Sequence, residues 1–264
     1  MDIEIKQRSL QTVNSYRHFA RHYHQGPYTH FTHRVIAEYF PSICQTLGIH
    51  PKSVLDLACG SGEFAIDLAL KGLRVSAIDQ SASLLRIARA QAKAAGAGVQ
   101  FVRADMSAFE LPERFDAVTC FFDSLNYLLS VRQLTGAFTC AWQQLNPGGY
   151  FIFDMNTIYG LAVLWQRFPV IIQQETDDYL EVAQNTCDYE NLIASMRLIM
   201  FEKNGDKWDR YEELHRERGY ALEDVLLLLE RVGFETQFIF GDPLNQRPLA
   251  EKDGRMWIAA HRQS

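Results

Sequence analysis

Val54-Leu55-Asp56-Leu57-Ala58-Cys59-Gly60-Ser61-Gly62-Glu63-Phe64 reads as a strand that runs into a glycine-rich turn and then opens a helix, from about Gly62 to Lys71. Gly60 and Gly62 have no Cβ, so the backbone can bend sharply and a ligand can lie directly against it. The helix start offers unpaired N–H groups to an anionic group. Arg74 to Ile78 is a second apolar run, and Asp79 follows it. An acidic side chain about twenty residues beyond such a turn can accept hydrogen bonds from both hydroxyls of a ribose. Gly60-Ser61-Gly62-Glu63-Phe64-Ala65 also satisfies the G-x-G-x-x-G/A pattern of dinucleotide sites, so this stretch alone leaves the kind of nucleoside ligand open.

Outward from the turn the same rhythm continues. Ser81 to Ala95 is an Ala-rich helix with Ser81 as its N-cap. Val99 to Arg103, Phe115 to Phe121 and Tyr150 to Phe153 are further strands, with a helix from Leu134 to Leu145 before the last. This alternation predicts an α/β fold, Rossmann-like and doubly wound, with a mostly parallel sheet and helices on both faces. Near Thr157 the period changes to two. Leu192, Ala194, Met196, Leu198 and Met200 alternate with Ile193, Ser195, Arg197, Ile199 and Phe201, then Asn204-Gly205 signals a hairpin before Trp208 to Arg218. Residues 157–220 are therefore expected to form an antiparallel β cap inserted into a core of residues 1–156 and 221–264. The Arg/Glu run from Arg210 to Arg218 reads as a solvated face with cross-strand ion pairs. A helix from Leu222 to Arg231, stopped by Gly233, leads to strands at Phe234 to Phe240 and Met256 to His261, expected as an antiparallel hairpin at the sheet edge.

Tyr16, Phe19, Ala20 and Tyr23 fall at helical spacing near the N-terminus, followed by Tyr28, Phe31 and Tyr39. They suit either an amphipathic helix packed on the core or an aromatic lid over a site. The 264 residues are 47% hydrophobic and 22% charged, an ordinary globular balance that excludes wholesale disorder and collagen-like repeats. The apolar runs are too short to span a bilayer, and the first residues lack the h-region of a signal peptide. Five cysteines, odd in number and without a C-x-x-C pair, fit a reduced cytoplasm better than a disulfide framework. A net charge of −6 argues against a broad nucleic-acid surface. His18 and His22 stand at i,i+4 spacing without the glutamate of an H-E-x-x-H motif, so no metal is expected.

Taken together, these residues resemble the class I S-adenosylmethionine-dependent methyltransferases over most of the chain. Asp56 stands ahead of Gly60 and Gly62 as that family's first motif places an acid ahead of a G-x-G turn. The resemblance implies that the loop from Ala58 to Gly62 approaches the methionine moiety while Asp56 organises it. It implies that Asp79 binds the ribose, with Gln80 as a second contact, and that Asp105 and Met106 flank adenine. Phe121, at the end of the strand carrying Phe115-Asp116-Ala117-Val118, would stand near the cofactor or in the core. A dehydrogenase accounts for neither Ala104-Asp105-Met106 nor Leu145-Asn146-Pro147-Gly148-Gly149. Within the family the likeness is to aminosugar and glycine-type N-methyltransferases. It is carried by Phe122-Asp123-Ser124-Leu125-Asn126-Tyr127-Leu128, Phe153-Asp154-Met155-Asn156-Thr157 and His215-Arg216-Glu217-Arg218-Gly219-Tyr220. This implies an inserted sheet over the acceptor, with Tyr16 and Tyr23 closing the cofactor pocket.

The expected reaction is in-line transfer of a methyl group to a small polar acceptor, an amine nitrogen first and oxygen next, leaving S-adenosyl-L-homocysteine. Tyr127, Asp154 and His215 are candidates for positioning the acceptor or taking its proton. Nucleic-acid methyltransferases often carry an Asn/Asp-Pro-Pro-Tyr/Phe element after the fourth strand; here Phe121-Phe122-Asp123-Ser124 has no proline. A methyltransferase acting on tRNA or protein, and a cofactor-binding scaffold without turnover, are the alternatives. The outer face of the inserted sheet leaves a homodimer open.

Overall fold

The computed structural model describes Tyr16, Phe19, Ala20, His22, Thr32 and residues 34–263. In chain order the first elements are α1 (Phe40–Leu47), β1 (Ser53–Leu57), α2 (Glu63–Leu70), β2 (Arg74–Asp79), α3 (Ala82–Ala95), β3 (Val99–Arg103) and β4 (Phe115–Cys120). They continue with α4 (Val131–Gln144), β5 (Leu145–Asn156), β6 (Val170–Glu175), β7 (Tyr179–Asp188), β8 (Ile193–Asn204) and β9 (Lys207–Arg218). The last are α5 (Leu222–Val232), β10 (Phe234–Asp242), β11 (Arg247–Pro248) and β12 (Arg255–Arg262).

Eight strands form the larger sheet in the order β11-β10-β12-β5-β4-β1-β2-β3. Strands β1 to β5 run parallel, and β12 lies antiparallel between β5 and β10. Every residue of β1 is buried, because both faces of the sheet are covered. Alternation divides them: Leu55 and Leu57 pack with Leu134 and Phe138 of α4 and Leu229 of α5. Val54 packs on the other side, with Phe40 and Ile43 of α1 and Phe64 of α2. Burying each such side chain stabilises the fold by about 1.5–3 kcal/mol. Ser81 caps α3 as expected, its Oγ accepting from Leu84 N. Helix α4 begins earlier than the expected Leu134, because Ser130 caps it by accepting from Gln133 N. The expected C-terminal pair is present as β10 and β12, but β12 is interior and the short β11 takes the edge.

The second sheet, β6-β7-β8-β9, is the antiparallel insertion. Pairing of β8 with β9 extends to Asn204 opposite Lys207, so Gly205 and Asp206 form the turn and only Gly205 takes positive φ, at 63°. Residues Ala183, Leu198 and Glu213 lie in one row across the sheet, and Asn185, Met196 and His215 in the next. Phe19 packs onto this face with Tyr179, Ala183, Leu198 and Met200. The period-two geometry corrects the reading of Arg210 to Arg218. Glu213, His215 and Glu217 point inward and are buried, and only the other parity is a solvated face, where Arg197 and Arg210 pair with Glu212. Asn126 joins core to insertion: its Oδ1 accepts from Asn156 N, and its Nδ2 donates to the carbonyls of Asn156 and Arg218. Among the described residues no helix is long and apolar enough to cross a membrane.

Candidate active site

One cavity lies at the C-terminal ends of the parallel strands, where open α/β sheets bind ligands. Its floor is the loop after β1. Ala58, Gly60 and Gly62 all take positive φ, at 53°, 57° and 86°, folding the chain back so that α2 starts directly beneath. Ala58, Cys59, Gly60 and Ser61 line the cavity; Gly62 does not. Gly62 packs instead against the neighbouring elements, since a Cβ there would stand 2.9 Å from Ala88 Cβ and 3.1 Å from the Phe101 ring.

The acids gather round this loop. Asp79, at the end of β2, accepts from Gly60 N at 2.9 Å through one oxygen and from Ser81 N at 2.7 Å through the other. Burial raises its pKa to about 6, although those two N–H groups oppose the shift. Each carboxylate oxygen has a second lone pair for a ligand hydroxyl. Asp56 accepts from Thr119 Oγ1 at 3.0 Å, and burial, reinforced by Asp79, carries its pKa to about 7. Gln80, Asp105 and Met106 line the same cavity, and Asp105 Oδ1 accepts from both the N and Oγ of Ser107. Phe121 is both wall and core: it borders the cavity and packs edge-on against Phe64, with centroids 5.2 Å apart.

Beyond Phe121 the chain turns through two non-glycine residues at positive φ, Phe122 at 64° and Asp123 at 51°. Such residues cost about 1–3 kcal/mol each and persist only where the surroundings hold them. Asp154 does so, accepting from Phe122 N at 2.6 Å and Asp123 N at 3.1 Å while pairing with Arg255. Arg255 also reaches Asp123. Asp154 is fully buried and absent from the cavity wall. Asp154 thus braces a strained turn beside the cavity without lining it. That turn presents Phe122, Ser124, Tyr127 and Leu128 to the cavity.

Tyr16 lines the same end. Its Oη lies 3.2 Å from Tyr127 Oη, and Tyr127 Oη is 3.0 Å from His215 Nδ1. His215 is 1% exposed and so is not part of the solvated face expected from Arg210 to Arg218. Phe19 packs on the inserted sheet while Tyr16 lines the cavity. Tyr23 and His18 lie outside the described residues. His22 stacks on Tyr179, with ring centroids 3.8 Å apart. The sequence reading missed Thr32, Val35, Ser81 and Gln133 in the wall. Of these, Gln133 carried a signal, because Ser130 and Gln133 stand at capping-box spacing and fix where α4 begins.

Residues 54–149 match a family model described as a methyltransferase domain. The chain is 31% identical over 212 residues to a putative methyltransferase of Geobacillus sp. (strain WCH70), covering 79% of this chain and 84% of that one. Its fold is similar to that of an S-adenosylmethionine-dependent methyltransferase from Clostridium acetobutylicum, with a TM-score of 0.76, 24% identity, and 90% and 99% of the two chains covered. It is also similar to CalS10, an amino pentose methyltransferase from Micromonospora echinaspora, with a TM-score of 0.63, 19% identity, and 89% and 96% covered. The chain belongs to the class I S-adenosylmethionine-dependent methyltransferases. It is an enzyme, and S-adenosylmethionine is its cofactor.

Proposed function

We propose that this enzyme methylates an amine nitrogen of a small polar molecule, with residues 157–220 as the cap on the acceptor side. The observation that carries this reading is the roof of the cavity. Tyr16 is held over it by Glu213 of the inserted sheet, which accepts from Tyr16 N at 2.7 Å. A nucleic acid or folded protein needs an open face, whereas a small molecule suits an enclosed one.

The wall chemistry fits the cofactor. Asp79 and Gln80 would hold the ribose, Asp105 and Met106 the adenine, and Ala58, Gly60 and Asp56 the methionine end. Bound there, S-adenosylmethionine supplies an electrophilic methyl group on a sulfonium. The residues round it contribute alignment and exclusion of water. Faces of Phe121 and Tyr16 would favour the positive charge.

Turnover with S-adenosylmethionine and matched panels of small amines and alcohols, read as S-adenosylhomocysteine formed, tests this. Transfer to amines is expected. Transfer to alcohols alone would replace nitrogen by oxygen, and transfer only to tRNA or protein would overturn the small-molecule reading.

A further inference from the structure

An alkylamine at neutral pH arrives as an ammonium ion and must lose a proton before its lone pair can attack. One hydrogen-bonded path leads from the acceptor end of the cavity into the protein. Tyr127 lines the cavity and meets His215 Nδ1 at 3.0 Å. His215 Nε2 stands 3.4 Å from Glu213 Oε2, and that buried nitrogen has no hydrogen-bond partner of good geometry among the described residues. Glu213 in turn accepts from Tyr16 N and from Phe19 N, at 2.7 and 3.0 Å. The rings of Tyr16 and Phe19 pack edge-on against the imidazole, with centroids 5.0 and 5.7 Å away. Among the described residues, the titratable groups round His215 are Tyr16, Tyr127 on the turn after β4, and Glu213 and Glu217 on its own strand.

Resting on the amine reading, we propose that Tyr127, His215 and Glu213 form the proton acceptor of the acceptor site, held together by Tyr16 and Phe19. The ammonium N–H bond breaks and its proton passes to Tyr127 Oη, while the phenol's own proton moves to His215 Nδ1. What remains is a neutral amine with its lone pair, an intact phenol, and an imidazolium beside the Glu213 carboxylate. Tyr127 is the catalytic residue; His215 and Glu213 act through it. Burial, with Tyr16 beside it, holds the Tyr127 pKa well above that of a free phenol, so the side chain passes a proton without resting as phenolate.

The path requires His215 to rest neutral with its hydrogen on Nε2, facing Glu213. Long-range proton–nitrogen NMR of the full chain labelled with [15N]histidine, in complex with S-adenosylhomocysteine, reads this directly. The resonance is identified by its shift in Tyr127→Phe. The Nε2–H tautomer is expected, and an Nδ1–H tautomer would overturn the proposal. A kinetic arm compares glucosamine and ethanolamine, protonated at pH 7, with methoxyamine, which is not. Tyr127→Phe and His215→Gln should lower kcat/KM for the basic amines about a hundredfold, and for methoxyamine within about twofold. The loss for basic amines should shrink as pH rises and the amine deprotonates unaided. Equal losses for both kinds of amine would assign these residues a structural role and overturn the relay. Turnover of none of the amines would overturn the amine reading instead, and the tautomer then decides the relay.

Discussion

Gly62 offers a quantitative test of how the cofactor loop is held. Its φ is +86°, and a Cβ would stand 2.9 Å from Ala88 Cβ on α3 and 3.1 Å from two ring carbons of Phe101 on β3. Gly62→Ala therefore meets two penalties. The left-handed backbone costs an L-residue about 1–2 kcal/mol. Overpacking against a methyl that cannot swing aside and a ring wedged on the sheet costs about 1–3 kcal/mol more. Gly72→Ala separates the two, because Gly72 has φ +89° but nothing within 4 Å of its would-be Cβ. Urea unfolding followed by circular dichroism should show Gly62→Ala less stable than Gly72→Ala by the packing share, about 1–3 kcal/mol. In the Gly62→Ala background, Ala88→Gly should cost less than it does in the wild type, a favourable coupling between contacting sites. Equal losses for Gly62→Ala and Gly72→Ala would refute the reasoning, and Gly62 would then be a glycine for its backbone alone.

Three further outcomes follow from the same geometry. Asp79→Ala should weaken S-adenosylmethionine and S-adenosylhomocysteine at least about tenfold by calorimetric titration, since charge-assisted hydrogen bonds are lost; unchanged affinity would remove Asp79 from the site. Asp56 has a folded pKa of about 7. Its unfolded value is near 4, so the native state binds the extra proton between them. That stabilisation is complete below the unfolded value and is lost as pH rises through about 7, an effect of up to about 4 kcal/mol at about 1.36 kcal/mol per pH unit. Asp56→Asn should flatten the fall in urea midpoint between pH 4.5 and 8, and an unchanged slope would refute the assignment. Asn126→Ala removes three hydrogen bonds, two to the Asn156 backbone at the end of β5 and one to the Arg218 carbonyl of the insertion, and should cost about 3 kcal/mol in urea unfolding, where a loss under about 1 kcal/mol would show that other contacts carry the joint.

Much of the core was legible because its requirements are local. A strand buried on both faces must be a continuous apolar run, and Val54 to Leu57 is one apart from Asp56. The cavity floor was legible for a related reason, as a chain that reverses beneath a ligand needs glycine and a ribose needs an acid at the next strand end. The turn at Phe122 and Asp123 gave no such sign. Nothing in those letters announces positive φ, and what holds them there, Asp154 and Arg255, comes from β5 and β12. The wall residues Thr32, Val35 and Leu84 carry no chemical signature, since their place depends on how a helix is laid across the sheet.

The inserted sheet was hardest to read because charge hides parity. On β8 the letters alternate and the inner face declares itself, but on β9 both parities are charged: Glu213, His215 and Glu217 inward, Arg210, Glu212 and Arg216 outward. Only the register against Leu198, Met196 and Ala194 distinguishes them. The inward set is also the costly one. Burial together with the neighbouring Asp123 pushes the Glu217 pKa well above the ordinary carboxylate range. Buried ionisable groups contribute little net stability even when paired. Each of the three has a polar neighbour that an apolar residue would leave unpaired: Glu213 accepts from the backbone N–H groups of Tyr16 and Phe19, His215 Nδ1 meets Tyr127 Oη, and Glu217 accepts from Asn156 Nδ2.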